Sequence, residues 1–357
     1  MEITKTIKKV LGFSGDKILV TGGMGYIGSH TVVALMNAGY EVYVVDNLSN
    51  SNINVLNGIE KITGKRPVFE NIDCTDYVAM DKFFTKYEGI KAIIHFAASK
   101  AVGESVAVPL KYYRNNVVSL VNLLELMPIH KVEGIVFSSS CTVYGQPDIL
   151  PVDETAPIKK ALSPYGNTKQ ICERIIFDTV HANNSLKSII LRYFNPIGAH
   201  PSAYIGELPN GKPNNLVPFV VQTAAGLYKK ISIFGNDYNT PDGTCIRDYI
   251  NVMDLAEAHV SAVERLLDKE LTEPEVFNLG TGKGLSVMEL ITRFEAVNGV
   301  KVPYEIVGRR EGDIEQVWAN PTLAQKVLKW KAKTSVDDTL RSAWLWQLRC
   351  MGKLDEN

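Results

Sequence analysis

The chain has 357 residues, 45% hydrophobic and 22% charged, with a formal net charge of −1. This is the profile of a globular protein of one large or two moderate domains, without a global field to draw in nucleic acid or an anionic membrane. Cys74, Cys141, Cys172, Cys245 and Cys350 are scattered without a C-x-x-C, and no apolar run approaches membrane-spanning length. A disulfide framework, a zinc site and a membrane span are therefore not expected, and a reducing, cytoplasmic setting is.

Residues 1–16 carry lysines but no continuous apolar stretch, so they read as an N-terminal extension with helical character and not as a signal peptide. From Lys17 onward, short apolar runs alternate with helical patterns. Ile18 to Val20, Glu41 to Val45, Ala92 to Phe96, Ile135 to Ser138 and Ile189 to Tyr193 read as buried strands. Ile27 to Ala38, Pro109 to Met127 and Pro164 to His181 read as helices, the last two opening at proline. Such alternation predicts an α/β fold with a doubly wound parallel sheet, Rossmann-like, over 17–193. After Tyr193 the texture changes to a Pro-, Gly- and Asn-rich stretch, Asn195 to Pro218. Residues 194–357 are expected to form a smaller mixed α/β region that builds a ligand pocket, with a segment near 245–265 returning to the first.

The run from Val20 to Gly28 leaves a strand and opens a helix, carrying Gly22, Gly23, Gly25 and Gly28. Glycines there let the backbone turn sharply and approach a pyrophosphate at the positive end of the helix. Glycine is common in such turns, but Asp46, 18 residues after Gly28 at the end of the second strand, adds weight. A carboxylate at that place bonds ribose hydroxyls and repels a 2′-phosphate, which favours NAD over NADP.

Tyr165 and Lys169 stand four residues apart on one helix face. A free tyrosine is a poor base at neutral pH. A neighbouring ammonium and an oxidised nicotinamide are expected to favour its phenolate. Tyr-x-x-x-Lys also occurs by chance on surface helices, so its weight comes from following the glycine loop and the serine-rich strand end Phe137 to Gly145. Ser140, at that edge, is placed to share a proton with Tyr165 and a substrate hydroxyl, or merely to cap the strand's exit.

Thr21 to His30, His95 to Ser105, Leu191 to Pro196, Pro213 to Leu216 and Arg309 to Asp313 together resemble the UDP-glucose 4-epimerases of the extended short-chain dehydrogenase/reductase family. The resemblance runs from about Lys17 to about Trp346. It implies that Tyr26, Ile27, Asp46, Asn47, Asn50, Ser51, Asp73 and Cys74 line the adenosine and pyrophosphate half of NAD. Phe96, Ala97, Lys100, Asn115, Tyr165, Lys169 and Tyr193 would hold the ribose and nicotinamide. Asn195, Asn215, Leu216, Arg247, Arg310 and Asp313 match UDP-sugar positions, joined by Lys100, Ser140, Tyr165 and Val317. The arginines suit a diphosphate, which takes bidentate cations. No metal is implied.

The implied reaction removes hydride from sugar C4 while Tyr165 takes the 4-hydroxyl proton; the flat 4-keto sugar then turns and takes hydride back on its other face. Uridine diphosphate contacts anchor the molecule during the turn. Ala98 departs from a frequent family glycine, with little expected consequence. Val317 stands where a bulky tyrosine restricts the family to glucose and galactose, so N-acetylated sugars are also expected. A homodimer through Pro109 to Met127 and Pro164 to His181 is implied as well. The rivals are a 4,6-dehydratase, which needs an Asp-Glu pair where this chain has Cys141 and Thr142, a decarboxylase, a net dehydrogenase, and a silent NAD-binding protein.

Overall fold

The computed structural model describes residues 15–183, 185–310 and 313–354. Nearly all of the extension at 1–16 lies outside the described residues. Seven parallel strands form the central sheet: β1 (Lys17–Thr21), β2 (Glu41–Asp46), β3 (Val68–Asn71), β4 (Ile90–His95), β5 (Gly134–Ser140), β6 (Lys187–Tyr193) and β11 (Glu275–Leu279). Their order, β11-β6-β5-β4-β1-β2-β3, reverses direction beside β1, as in a doubly wound sheet.

Side chains alternate across this sheet with a period of two, and each set has its own helical cover. Ile18, Val20, Ala92, Ile94, Ile189 and Leu191 pack with α1 (Tyr26–Asn37) and α8 (Val252–Asp268). Leu19, Ile93 and Ile190 face the other way, onto α3 (Tyr77–Lys86), α5 (Pro109–Ile129) and α6 (Pro164–Ala182). Helices α2 (Val55–Thr63) and α4 (Val102–Ala107) complete the sheet's flanks. Burial on both faces explains why the strands read as continuous apolar runs.

The rest of the chain forms short paired strands. β7 (Asn195–Ile197) pairs with β10 (Tyr249–Asn251), and β8 (Ile231–Phe234) with β13 (Tyr304–Val307). β9 (Ile246–Arg247) lies between β12 (Leu285–Ser286) and β14 (Gln316–Val317). A separate core joins them to α7 (Leu216–Ala224), α9 (Val287–Asn298) and α11 (Val336–Cys350). Two strands escaped the sequence reading. β3 is a half-buried edge, and β11 reaches the sheet only after the chain has left it, pairing with β6 from Glu275↔Ile189 to Leu279↔Tyr193. The short helix α10 (Thr322–Val327) packs near β11.

Candidate active site

Several of the predicted cofactor and catalytic residues lie at the carboxyl ends of the sheet's strands: Gly22 after β1, Asp46 at the end of β2, Phe96 after β4, Ser140 at the end of β5 and Tyr193 at the end of β6. Gly22 has φ +69°, and a Cβ there would stand 2.7 Å from Ala97 N. A Cβ on Gly28 would meet Gly22 O at 2.2 Å, so strand and helix can approach this closely only with glycine. Gly25 caps α1 with no side-chain bond, leaving the first N–H groups of Tyr26 and Ile27 for an anion. Asp46 is buried at the end of β2; it accepts from Met24 N at 3.0 Å, Leu48 N at 2.9 Å and Ser51 Oγ at 2.8 Å. A carboxylate keeps further lone pairs beyond these. Asn47 donates to Asp73 at 2.9 Å, Cys74 is buried beneath them, and Asn50 stays exposed on the loop. Close backbone, uncapped helix and fixed carboxylate together fit a dinucleotide.

The serine edge is built from both sides. Ser163 caps α6 by accepting from Gly166 N at 3.1 Å, and Pro164 opens the helix. Lys169, 4% exposed, donates from Nζ to Ser138 O at 2.6 Å. Its ammonium lies 5.9 Å from the Tyr165 ring centre. Ser138 Oγ bonds the Tyr193 hydroxyl, and Ser140, whose Oγ accepts from Thr142 N at 3.3 Å, stands close enough to the Tyr165 phenol to favour its ionised form. Burial lowers the Lys169 amine to about 8, with Cys172 and Glu173 pulling it back up. Burial likewise pushes Tyr193 up to about 12.

In this protein burial raises the Tyr165 phenol, Tyr193 adds to the rise, and Ser140 is what opposes it. Lys169, for its part, is held by the Ser138 carbonyl. His95, beneath the site, shares a hydrogen with Thr21 Oγ1 at 2.7 Å and is lowered to about 3 by burial and then by Lys169, so it stays neutral.

Phe96 and Ala97 follow β4 beside the glycine loop; the Phe96 ring lies tilted against buried His259, with centroids 4.7 Å apart. Asn115 donates to Asn116 at 3.0 Å. Asn116 was not anticipated, yet it accepts from Ser99 N at 2.8 Å and donates to Thr168 Oγ1 at 3.0 Å, tying the loop after β4 to α6. Glu207 was also missed. Its Oε1 takes a bond from Asn215 at 2.7 Å and lies 3.5 Å from Lys100 Nζ, joining residues of the two predicted half-sites. The Asn115–Asn116 doublet hinted at the first; no sequence spacing marks the second.

Asn195 begins β7 and bonds Asp248 O through its amide at 3.0 Å. Leu216 follows Asn215 at the start of α7. Arg247 Nη1 donates to carbonyls, Ile246 O at 2.8 Å and Glu315 O at 3.4 Å, and lies within electrostatic reach of Cys141. Val317 pairs with Arg247 in register and is buried with Val143, Tyr144, Val152, Phe194 and Ala319, with Cys141 packed alongside. Arg310 pairs with Asp313 at 2.8 Å and lies over the exposed Phe234 ring.

After Ser140, the thiol of Cys141 is pushed up to about 12 by burial, and Thr142 Oγ1 is buried without a partner. Neither is the acid/base pair a dehydratase needs. No cluster of three metal-ligating side chains and no helix long and apolar enough to cross a membrane occurs among the described residues.

The family described as GDP-mannose 4,6 dehydratase matches residues 19–343. The UDP-glucose 4-epimerase of Bacillus subtilis is 52% identical over 330 residues, 92% of this chain and 96% of its own. The crystal structure of the Stenotrophomonas maltophila UDP-glucose-4-epimerase, with bound NAD and formylated UDP-arabinopyranose, has a TM-score of 0.91 at 47% identity, covering 95% of this chain and 99% of that one. That of Bifidobacterium longum, in complex with NAD+ and UDP, has a TM-score of 0.91 at 44% identity, covering 95% and 100%. Within the broad family that the dehydratase description names, the chain belongs to the UDP-glucose 4-epimerases.

Proposed function

We propose that this chain is an NAD-dependent UDP-sugar 4-epimerase that interconverts UDP-glucose and UDP-galactose. The observation that carries the reading is the placement of Tyr165 beside Ser140 at the sheet edge, with Lys169 fixed to the Ser138 carbonyl and the glycine loop and Asp46 at the ends of β1 and β2. Bound NAD supplies a reversible hydride acceptor for sugar C4. Tyr165 removes the 4-hydroxyl proton and returns it after the 4-keto sugar has presented its other face. Ser140 holds the shared proton in line between phenol and substrate oxygen. Lys169 anchors the ribose side, and its fixed charge, added to that of the oxidised ring, offsets the burial that opposes the phenolate. Arg247, whose guanidinium bonds only carbonyls, takes the diphosphate and keeps the sugar from leaving while it turns.

The proposed division of labour places the cofactor on 17–193 with the returning segment, and the UDP-sugar on 194–357. Val317 supports a second element of the reading, turnover of UDP-N-acetylglucosamine and UDP-N-acetylgalactosamine, because valine is smaller than a tyrosine by roughly an aromatic ring's volume. Exposed Leu110, Val118 and Ile129 on α5 support a homodimer, which light scattering tests. The unpaired thiols support a reducing, cytoplasmic setting.

The deciding assay incubates purified protein with UDP-galactose and no added NAD. UDP-glucose should form without net NADH. Accumulation of NADH, loss of water or release of carbon dioxide would refute epimerisation.

A further inference from the structure

Glu173 lies one turn beyond Lys169 on α6 and two beyond Tyr165, so the three share a helix face. Its carboxylate is buried and fully engaged. Oε1 accepts from Ser139 Oγ and, at 2.9 Å, from Arg192 Nε; Oε2 accepts from Arg192 Nη2 at 2.6 Å. The two side chains are 7% and 6% exposed. Arg192 Nη1 reaches the Tyr144 hydroxyl at 3.0 Å, which donates to Asn278 Oδ1 at 2.7 Å. One carboxylate thus links α6 to β5, β6, the turn after β5, and β11.

A buried ion pair adds little stability over apolar residues of equal volume, so cohesion alone is a weak account of this one. Its location is more informative. Ser139 sits between Ser138, whose carbonyl receives Lys169, and Ser140, whose hydroxyl meets Tyr165.

We propose that Glu173 is a positioning residue: through Ser139 and Arg192 it sets the height and rotation of α6 against β5, and so the reach of Tyr165 and Lys169 to the Ser138–Ser140 edge. This rests on the roles given above to Tyr165 and Lys169. An electrostatic effect accompanies the geometric one. Around Lys169 stand Tyr165, Cys172 and Glu173 of α6, the Ser138 carbonyl and Phe137 ring of β5, and neutral His95 of β4, with Arg192 of β6 behind Glu173 and Tyr193 of β6 on Ser138. Glu173 is the anion in that set, it favours the Lys169 ammonium, and Arg192 balances it.

Epimerisation of UDP-galactose by the NAD-loaded enzyme is to be followed across pH for wild type, Glu173→Gln, Arg192→Met and Ser139→Ala, with bound NAD and Tm measured alongside. Glu173→Gln should lose on the order of 10²-fold in kcat with KM nearly unchanged, the cost of a small misplacement of the reacting groups. Its alkaline limb should move to lower pH, because Arg192 is left unbalanced. Arg192→Met should also lose kcat, but its limb should move to higher pH. Ser139→Ala keeps the ion pair; it should fold normally and lose kcat severalfold with its limb in place. Variants with lowered Tm but wild-type kcat and unmoved limbs, or limbs moving in the same direction, overturn the proposal. If the two charge variants do not fold, wild-type kcat in Ser139→Ala overturns it. Full activity in Tyr165→Phe would instead refute the parent assignment, whatever Glu173 does.

Discussion

The proposed cofactor half and the proposed nucleotide-sugar half of this site are built in opposite ways. Asp46 and Lys169 are buried and already bonded to backbone, and the glycine loop has no room for a side chain. Arg310 is 57% exposed and paired with Asp313, Lys100 is drawn to Glu207, and Asn215 spends its amide on the same carboxylate. The first half is preorganised, which lowers the cost of binding and suits a cofactor that is retained. The second is held by contacts that a diphosphate can replace, which suits a substrate that enters and leaves in each cycle.

The sharpest way to break this contrast is at the proton. Tyr165→Phe removes the base from the rigid half without touching either ligand's phosphates. Turnover of UDP-galactose should fall by roughly 10²–10⁴-fold, the usual worth of a positioned acid/base, while the purified protein keeps its NAD. Loss of NAD together with activity would show that the phenol serves binding instead.

A second test uses pH. The buried Lys169 amine has been lowered to about 8. Its ammonium is present below that value and lost above it, so kcat should decline as pH rises beyond about 8. A rate flat well past that point would mean that the lysine charge is not needed in the loaded enzyme.

The same contrast decides what could be read from sequence. β1, β2, β4, β5 and β6 were legible because burial on both faces leaves an apolar run with no need of tertiary information. Gly22, Gly28 and Asp46 were legible because one strand, one turn and one helix fix their spacing. β11 was not, since nothing local in Glu275–Leu279 says that it pairs with β6, far upstream. Glu207 was invisible for the same reason: Lys100 and Asn215 meet it only after two distant segments fold together. The shared helix face of Tyr165 and Lys169 was legible from their spacing, whereas the burial of the phenol and the Ser138 carbonyl that holds the lysine are tertiary facts.

In the exchangeable half, Arg247→Ala should raise KM for UDP-galactose by roughly 10- to 100-fold, the worth of a charge-assisted hydrogen bond of about 1.5–3 kcal/mol, with kcat less affected. Because Arg247 bonds only carbonyls in the free protein, its loss leaves no buried carboxylate unpaired, and Tm should hardly move. An equal fall in kcat would show that this arginine acts on the turning sugar and not only on its anchor.

The smallest change, and the one that sharpens the contrast most, is at Val317. It is 3% exposed and packs among Val143, Tyr144 and Phe194, so it belongs to a rigid wall although the proposed reading sets it beside the exchangeable ligand. Val317→Tyr should abolish turnover of UDP-N-acetylglucosamine while leaving UDP-galactose turnover within a few-fold, because the added ring fills the space an acetamido group would take. Overpacking a wall of this kind costs about 1–3 kcal/mol, so a modest fall in Tm is expected as well. If the wild type shows no N-acetyl turnover to begin with, then Cys141 and its neighbours have closed the volume that valine opened, and the sugar's identity is set by the wall as a whole.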